Sequence, residues 1–223
     1  LNHDMIADCL KFGKPDVIVL HEKSWAKKLR NVYAGNWRAL TEPTMESWIK
    51  EFFPELADIP IKSYWHHETH AAAGVLTSKF DNCAVMVIDA IGEFDTASIW
   101  HWKEGTLKKV HSVKFPSSLG LFYSAMTAHV GLKPMEDEYI LMGMAAYGEP
   151  KYKVKMDIHL FDHPADELHN CLKTIDMSKG LPKSFFNNID VEDEQTQFDL
   201  AASAQAVVEE RILSYCRLAF KYS

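Results

Sequence analysis

The chain has 223 residues, of which 47% are hydrophobic and 25% charged, and these are ordinary values for a folded globular domain. Its formal net charge of −7 argues against nucleic-acid binding, which would favour a basic stripe of Lys and Arg. No apolar run approaches the roughly 20 residues that a membrane-spanning helix needs. We therefore expect a compact cytoplasmic protein with neither a nucleic-acid nor a membrane partner.

The cysteines are widely spaced and form no CxxC pair, which predicts reduced thiols rather than a disulfide framework or a zinc knuckle. They are Cys9, Cys83, Cys171 and Cys216. Leu1 is not an initiator methionine, and the residues after it lack the basic and apolar regions of a signal peptide. We therefore expect the sequence to begin inside a longer protein.

The first part of the chain alternates predicted helices and strands. Apolar spacing predicts helices over residues 5–12, 43–53 and 65–79, and short β-branched runs predict strands over residues 16–20 and 84–88. The strand over 84–88 is apolar on both faces, which is typical of a central strand of a sheet. These elements indicate an α/β or α+β fold.

The second part begins with a predicted hairpin, in which strands over 96–102 and 106–113 flank a turn at Gly105. Helices are predicted over residues 117–130 and 136–147, each followed by a glycine. Residues 151–194 are more polar and are predicted to be irregular. Residues 198–220 repeat their apolar side chains at helical spacing, which predicts a long helix with one buried face.

The densest group of ionisable side chains is the run of histidines that begins at His66. On a helix, His66 and His70 share a face and could bind one cation, whereas His67 points elsewhere. The HExxH frame of zinc proteases fails, because Ala71 stands where the second histidine would be. By itself the pair also fits surface or hydrogen-bonded histidines.

Asp89 ends the predicted strand 84–88 and opens a turn that contains Gly92 and leads to Thr96. A carboxylate at the end of a strand supplies a ligand for a hard cation, and the amides of such a turn can bind an anion. An aspartate that caps its own turn explains the same residues equally well. The sequence leaves both interpretations open.

Six segments in chain order resemble the family of nodulation-factor and aminoglycoside O-carbamoyltransferases. They are His21-Glu22-Lys23-Ser24 with Lys27 and Arg30, HHETHAA at 66–72, DAIGEFDT at 89–96, PSSLGLFYS at 116–124, EYILMGMAAYG at 138–148, and LAASAQ at 200–205 with Glu209. The resemblance implies an α/β fold of the actin-like type, which is related to ribonuclease H, sugar kinases and heat-shock ATPases. It also implies a nucleotide-binding domain that is incomplete in this sequence.

The resemblance further implies an activity. In such enzymes a C-terminal domain makes carbamoyl adenylate from carbamoyl phosphate and ATP, and the domain sampled here passes the carbamoyl group to a hydroxyl of a small-molecule acceptor. We expect residues 1–150 to be the core, 151–194 an irregular insertion and 195–223 a long helix. The domain that forms the adenylate is not in this sequence, so we expect the chain alone to be inactive.

The same resemblance assigns site residues. His66, His70 and Asp89 correspond to metal ligands, with iron(II) as the family precedent, and manganese and zinc also suit imidazole and carboxylate ligands. Gly92, Glu93 and Thr96 would line the phosphate side of an ATP or carbamoyl-adenylate site.

Other residues in or next to these segments leave questions open. Asp137 and Glu138 are candidate acid–base or acceptor-binding groups, although carboxylates at a helix start are more often caps. Ala90, Ile140 and Ala146 stand where the family has Gly, Lys and Pro, which suggests a looser phosphate turn and the loss of a cationic contact. Two alternatives therefore remain, a relative of the tRNA threonylcarbamoyl transferase and a non-catalytic actin-like nucleotide-binding module.

Overall fold

The computed structural model describes residues 3–161 and 174–223. It divides into two compact units, the first up to Thr69 together with Gly92–Phe94, and the second comprising His70–Ile91 and the chain from Asp95 onward. Cys171 and part of the predicted insertion 151–194 lie outside the described residues. The described cysteines, Cys9, Cys83 and Cys216, are free thiols.

The first unit contains short helices and a two-stranded parallel sheet. Its elements are α1 (His3–Leu10), β1 (Ile18–Leu20), α2 (Ser24–Tyr33), a 3-10 turn (Trp37–Leu40), α3 (Met45–Phe52), a second 3-10 turn (Pro54–Leu56) and β2 (Ile61–Ser63). In the sheet, Ile18 pairs with Ile61 and Leu20 pairs with Ser63. Helix α3 begins where the Thr44 hydroxyl accepts a hydrogen bond from the Ser47 amide, at 3.2 Å.

Helix α2 was not predicted from the apolar pattern. It buries its small residues Ser24 and Ala26, whereas Trp25, Leu29 and Tyr33 are exposed. The large apolar side chains of α2 therefore lie on its exposed face rather than on its buried face, which is the reverse of the usual arrangement.

The second unit contains a three-stranded antiparallel sheet in the order β3-β4-β5. Its strands are β3 (Asn82–Ile88), β4 (Asp95–Lys103) and β5 (Thr106–Lys114). The predicted hairpin is confirmed, and Glu104 and Gly105 turn it with φ of 50° and 77°. The prediction that residues 84–88 form a central strand is wrong for the described sheet. Strand β3 lies at an edge, and β4 is the buried central strand, because an apolar run does not report how many strands flank it.

The helices of the second unit are the part of α4 (His66–Leu76) from His70 on, α5 (Leu119–His129), α6 (Glu138–Met144), α7 (Lys153–Leu160) and α8 (Glu194–Phe220). Helices α5 to α8 contribute buried side chains to one large hydrophobic core, whereas Ala71 of α4 lies in a smaller cluster with Val87 and Trp100. Helix α7 lies in the segment predicted to be irregular. The long final helix is confirmed, and it begins earlier than predicted because the Asp193 carboxylate caps the Thr196 amide at 2.8 Å. None of the described helices is both long and apolar enough to cross a membrane.

A buried carboxylate joins α8 to the end of the segment that contains α6. Asp199 accepts hydrogen bonds from the Glu149 amide at 2.8 Å and from the Lys151 ammonium at 2.5 Å. Gly148 is required beside it, because a Cβ there would lie 2.0 Å from the carbonyl oxygen of Phe198. Burial would raise the pKa of Asp199, but these donors outweigh it and hold the pKa below its ordinary value.

Candidate functional site

Helix α4 carries the predicted pair of histidines. His66 is its first residue and His70 follows one turn later, so the two side chains leave the helix on the same face. His67 is 1% exposed, whereas His70 is exposed. His67 follows His66 directly and projects about a third of a turn away from it on the helix, and the dispensability of His67 for metal binding stays a prediction.

In the second unit, the structure brings His70 and Asp89 together. His70 Nε2 lies 3.8 Å from Asp89 Oδ2, whereas two ligands of one transition-metal ion, each bonded at about 2.0–2.2 Å, lie roughly 3–3.5 Å apart. The pair thus needs a movement of only a few tenths of an ångström to share an ion. His66, one turn before His70 on α4, is the third predicted ligand, and its part in a metal site stays a prediction.

The His70 and Asp89 side chains border an open pocket of about 370 Å³. Its other walls are Gly74 and the outer side of β3 from Val85 to Ile88. Asp89 sits where β3 ends, and its amide still donates to the Thr96 carbonyl at 3.0 Å, which continues the sheet ladder. A carboxylate and an imidazole therefore face a space that is large enough to admit an ion with further ligands.

The backbone that follows Asp89 is held by its neighbours within the second unit. The Ala90 amide donates to Asp89 Oδ1 at 2.6 Å, and the Ser118 hydroxyl donates to the Ala90 carbonyl at 2.6 Å. Gly120 lies so close that an added Cβ would be 2.7 Å from Ala90 Cα. Ser118 and Gly120 were not predicted to be site residues, although both lie in the segment 116–124.

Gly92 and Glu93 make their contacts within the first unit. The Gly92 carbonyl accepts a hydrogen bond from the Arg30 guanidinium at 3.1 Å. Glu93 is 4% exposed, and it accepts the amides of Lys23, at 2.7 Å, and of His66, at 3.1 Å. One buried carboxylate thus caps the starts of α2 and α4. That Gly92 and Glu93 line a phosphate site stays a prediction.

Thr96 lies in the second unit and is 1% exposed. Its hydroxyl is within hydrogen-bond distance of the Ser117 carbonyl at 2.7 Å and of the Val113 carbonyl at 3.2 Å. These contacts tie the start of β4 to the end of β5 and to the segment after it. The predicted phosphate contact of Thr96 therefore requires its hydroxyl to change partners.

Asp137 and Glu138 accept hydrogen bonds from backbone amides of the loop that precedes α6. Asp137 accepts the Lys133 amide at 2.9 Å, and Glu138 accepts the Met135 amide at 2.6 Å together with the Ser124 hydroxyl. Burial would raise the pKa of Glu138, but these hydrogen bonds lower it overall, which makes the carboxylate a weaker base. The contacts favour a capping role, and an acid–base role for the two residues stays a prediction.

A polar chain that links two of the quoted segments was not predicted. The Tyr123 hydroxyl donates to Gln205 Oε1 at 2.8 Å, and Gln205 Nε2 donates to Glu209 at 2.8 Å. Burial, followed by the nearby charges of Glu209 and Glu138, raises the pKa of Tyr123 to about 12. The hydroxyl therefore stays protonated and serves as a hydrogen-bond donor at neutral pH.

The fold and the geometry together define a mixed α/β protein that carries a candidate metal-binding histidine–aspartate pair at the end of a strand. Residues 17–222 match the family described as carbamoyltransferase N-terminus, and the chain belongs to that family. The family membership agrees with the resemblance that the six segments carry.

Curated relatives cover different parts of the chain. It is 34% identical over 186 residues to the protein sll1178 of Synechocystis sp., a match that spans 76% of this chain and 30% of that protein. It is 39% identical over 87 residues to nodulation protein NolO of Bradyrhizobium diazoefficiens, spanning 38% of this chain and 15% of NolO. It is 31% identical over 101 residues to nodulation protein NolNO of Sinorhizobium fredii, spanning 45% and 15%. The chain thus matches less than a third of the length of each of these relatives.

Proposed function

We propose that the whole protein transfers a carbamoyl group from carbamoyl adenylate to a hydroxyl of a small-molecule acceptor. The adenylate would be made from carbamoyl phosphate and ATP in a further domain, and the described chain would belong to an actin-like nucleotide-binding domain. Family membership over residues 17–222 supports a carbamoyltransferase. The mixed α/β elements and the six collinear segments support the finer assignment.

The proposal includes a metal site in which His66, His70 and Asp89 are the protein ligands. Iron(II) is the preferred ion, and manganese or zinc would suit the same ligands. The observation that carries this step is the 3.8 Å separation of His70 Nε2 from Asp89 Oδ2 beside an open pocket. His66, one turn earlier on α4, adds a second imidazole on the same helix face.

A bound divalent ion would supply positive charge beside the phosphates of the adenylate. The protein residues have separate tasks. Asp89 keeps one oxygen on the Ala90 amide and turns the other toward His70, so its carboxylate is oriented before any ion arrives. Ser118 and Gly120 fix the backbone of that turn from the side of α5.

A second candidate is a nucleotide-binding module without catalysis. One observation favours it, because the Ala90 amide is engaged by the Asp89 side chain rather than directed at a ligand. Under this alternative the whole protein would bind ATP but would transfer no carbamoyl group. The replacement of the family Gly by Ala90 points in the same direction.

The deciding experiment measures AMP release and acceptor carbamoylation by the whole protein, given ATP, carbamoyl phosphate and a panel of hydroxyl compounds. We expect transfer that is lost on chelation of the metal and restored by iron(II) under anaerobic conditions. His70→Ala and Asp89→Asn should abolish the restored activity, whereas His101→Ala, at the other end of the β3–β4 pair, should retain it. ATP binding without carbamoyl transfer to any acceptor would support the non-catalytic module instead.

A further inference from the structure

We infer that Gly120 and Ser118, at the start of α5, are positioning residues for the Asp89 carboxylate. The inference rests on the proposed metal site, and it adds an element that the ligand residues do not include. All three residues lie in the second unit, where the start of α5 packs directly on the backbone between Asp89 and Ala90.

The contact at Gly120 is backbone against backbone. A Cβ on residue 120 would lie 2.7 Å from Ala90 Cα, 2.8 Å from Ala90 N and 3.0 Å from the Asp89 carbonyl oxygen. Non-bonded carbon atoms pack at about 3.5–4.0 Å. Any side chain at residue 120 therefore forces α5 and the turn apart by roughly 1 Å, because neither partner is a flexible side-chain end.

Ser118 adds a directed hydrogen bond to the same turn. It is buried, its hydroxyl donates to the Ala90 carbonyl at 2.6 Å, and its oxygen accepts the Leu121 amide at 3.0 Å. One side chain thus caps α5 and fixes the peptide that follows Asp89. The Ala90 amide in turn holds Asp89 Oδ1 at 2.6 Å, so the chain of contacts reaches the carboxylate.

The displacement that a side chain at residue 120 would impose is large compared with the tolerance of a metal site. Ligand distances in a working site are held to within about 0.2 Å, and the shift that a methyl group at residue 120 would impose is several times larger. Outer contacts of a metal ligand are worth about 10- to 100-fold in metal affinity. A purely structural helix start would leave metal affinity and geometry unchanged once the protein is folded.

The test uses Co2+ as a probe in the whole protein, with the dissociation constant measured by titration and the ligand geometry by the visible absorption of bound Co2+. Gly120→Ala is compared with Gly143→Ala, which adds the same methyl group to an exposed helical position with no atom within 4 Å. Ser118→Gly removes the bond to the Ala90 carbonyl while Gly still permits a helix cap. Thr44→Gly makes the matching change at the cap of α3 in the first unit.

We expect Gly120→Ala and Ser118→Gly to weaken Co2+ binding at least tenfold and to change its absorption spectrum. Gly143→Ala and Thr44→Gly should keep the wild-type constant and spectrum. If Gly120→Ala fails to fold, Ser118→Gly decides the matter. Wild-type Co2+ binding and an unchanged spectrum in Ser118→Gly and in any folded Gly120→Ala protein would overturn the inference while leaving the metal site intact. Wild-type binding in Asp89→Asn would instead overturn the metal site, and the inference with it.

Discussion

The two compact units differ in the size of their hydrophobic cores and in the contacts that stabilise their turns. The second unit has a continuous hydrophobic core that includes Ile99, Phe122, Leu141, Leu200 and Tyr215, whereas the fully buried apolar residues of the corresponding cluster in the first unit are Ile49, Phe53 and Leu56. In the second unit the turn after Asp89 is fixed by close packing and by Ser118. In the first unit the turn at Gly92–Phe94 is fixed by hydrogen bonds to Glu93. The comparison indicates that close packing at Gly120 helps to hold the turn after Asp89, whereas the turn at Gly92–Phe94 relies on hydrogen bonds to the Glu93 carboxylate and from Arg30 to the Gly92 carbonyl.

The largest effect should come from emptying the core of the second unit. Phe122 is 0% exposed and contacts Phe161 edge to face at 5.2 Å between centroids. We expect Phe122→Ala to lower the free energy of unfolding by about 3–5 kcal/mol, measured by urea denaturation. Phe53→Ala, at 3% exposure in the smaller cluster, should cost less because its surroundings can collapse more readily. An equal or larger loss for Phe53→Ala would contradict the contrast between the two cores.

A smaller loss of stability should follow from neutralising Glu93, the buried carboxylate that caps α2 in the first unit. Glu93→Gln keeps the shape but replaces one acceptor oxygen with an NH2 group that faces the amides of Lys23 and His66. We expect a cost of about 1–3 kcal/mol, because buried donors lose a charged partner. The exposed Glu55→Gln serves as the control and should be neutral. Equal stability of the two variants would show that Glu93 does not anchor the first unit.

The apolar spacing predicted most helices and the hairpin correctly, because each of these elements turns an apolar face toward a core. It could not predict α2, whose buried face is made of Ser24 and Ala26. It also misplaced β3 in the sheet, since burial on both faces depends on neighbours that a strand's own sequence does not specify. Local apolar patterns were therefore sufficient to predict an element that buries an apolar face of its own, but not its position among neighbouring strands.

For the site, the spacing of His66 and His70 was sufficient to predict a shared helix face. The burial of Glu93 and the contact of Gly120 with Ala90 could not be predicted, because they join segments far apart in sequence. Glu93 contacts Lys23 across 70 positions, and the Ser118 hydroxyl reaches Ala90 across 28. Such contacts become visible only once the chain is folded.

The smallest expected effect is the acid dependence of stability that Asp199 contributes. Its hydrogen-bond donors hold its pKa below the ordinary value. A carboxyl with a depressed pKa in the folded state stabilises the fold above its unfolded pKa, near 4, and this contribution is lost as the pH falls through the folded pKa. We expect the melting temperature to fall below about pH 4 in the wild type, and to fall less steeply in Asp199→Asn. The exposed Asp58→Asn should follow the wild-type curve. If the melting temperatures of all three proteins fall equally steeply with pH, Asp199 does not contribute to the acid sensitivity of the fold.

The measurement that tests the central claim most directly is the metal content of the whole protein, determined by mass spectrometry of the purified wild type and four variants. We predict that the wild type carries a single tightly bound divalent ion and that His66→Ala, His70→Ala and Asp89→Asn lose it. His67→Gln, which changes the buried residue next to His66, should retain the ion if it folds. An ion retained in all three ligand variants, or lost from His67→Gln as completely as from His66→Ala while both proteins stay folded, would contradict the proposed site.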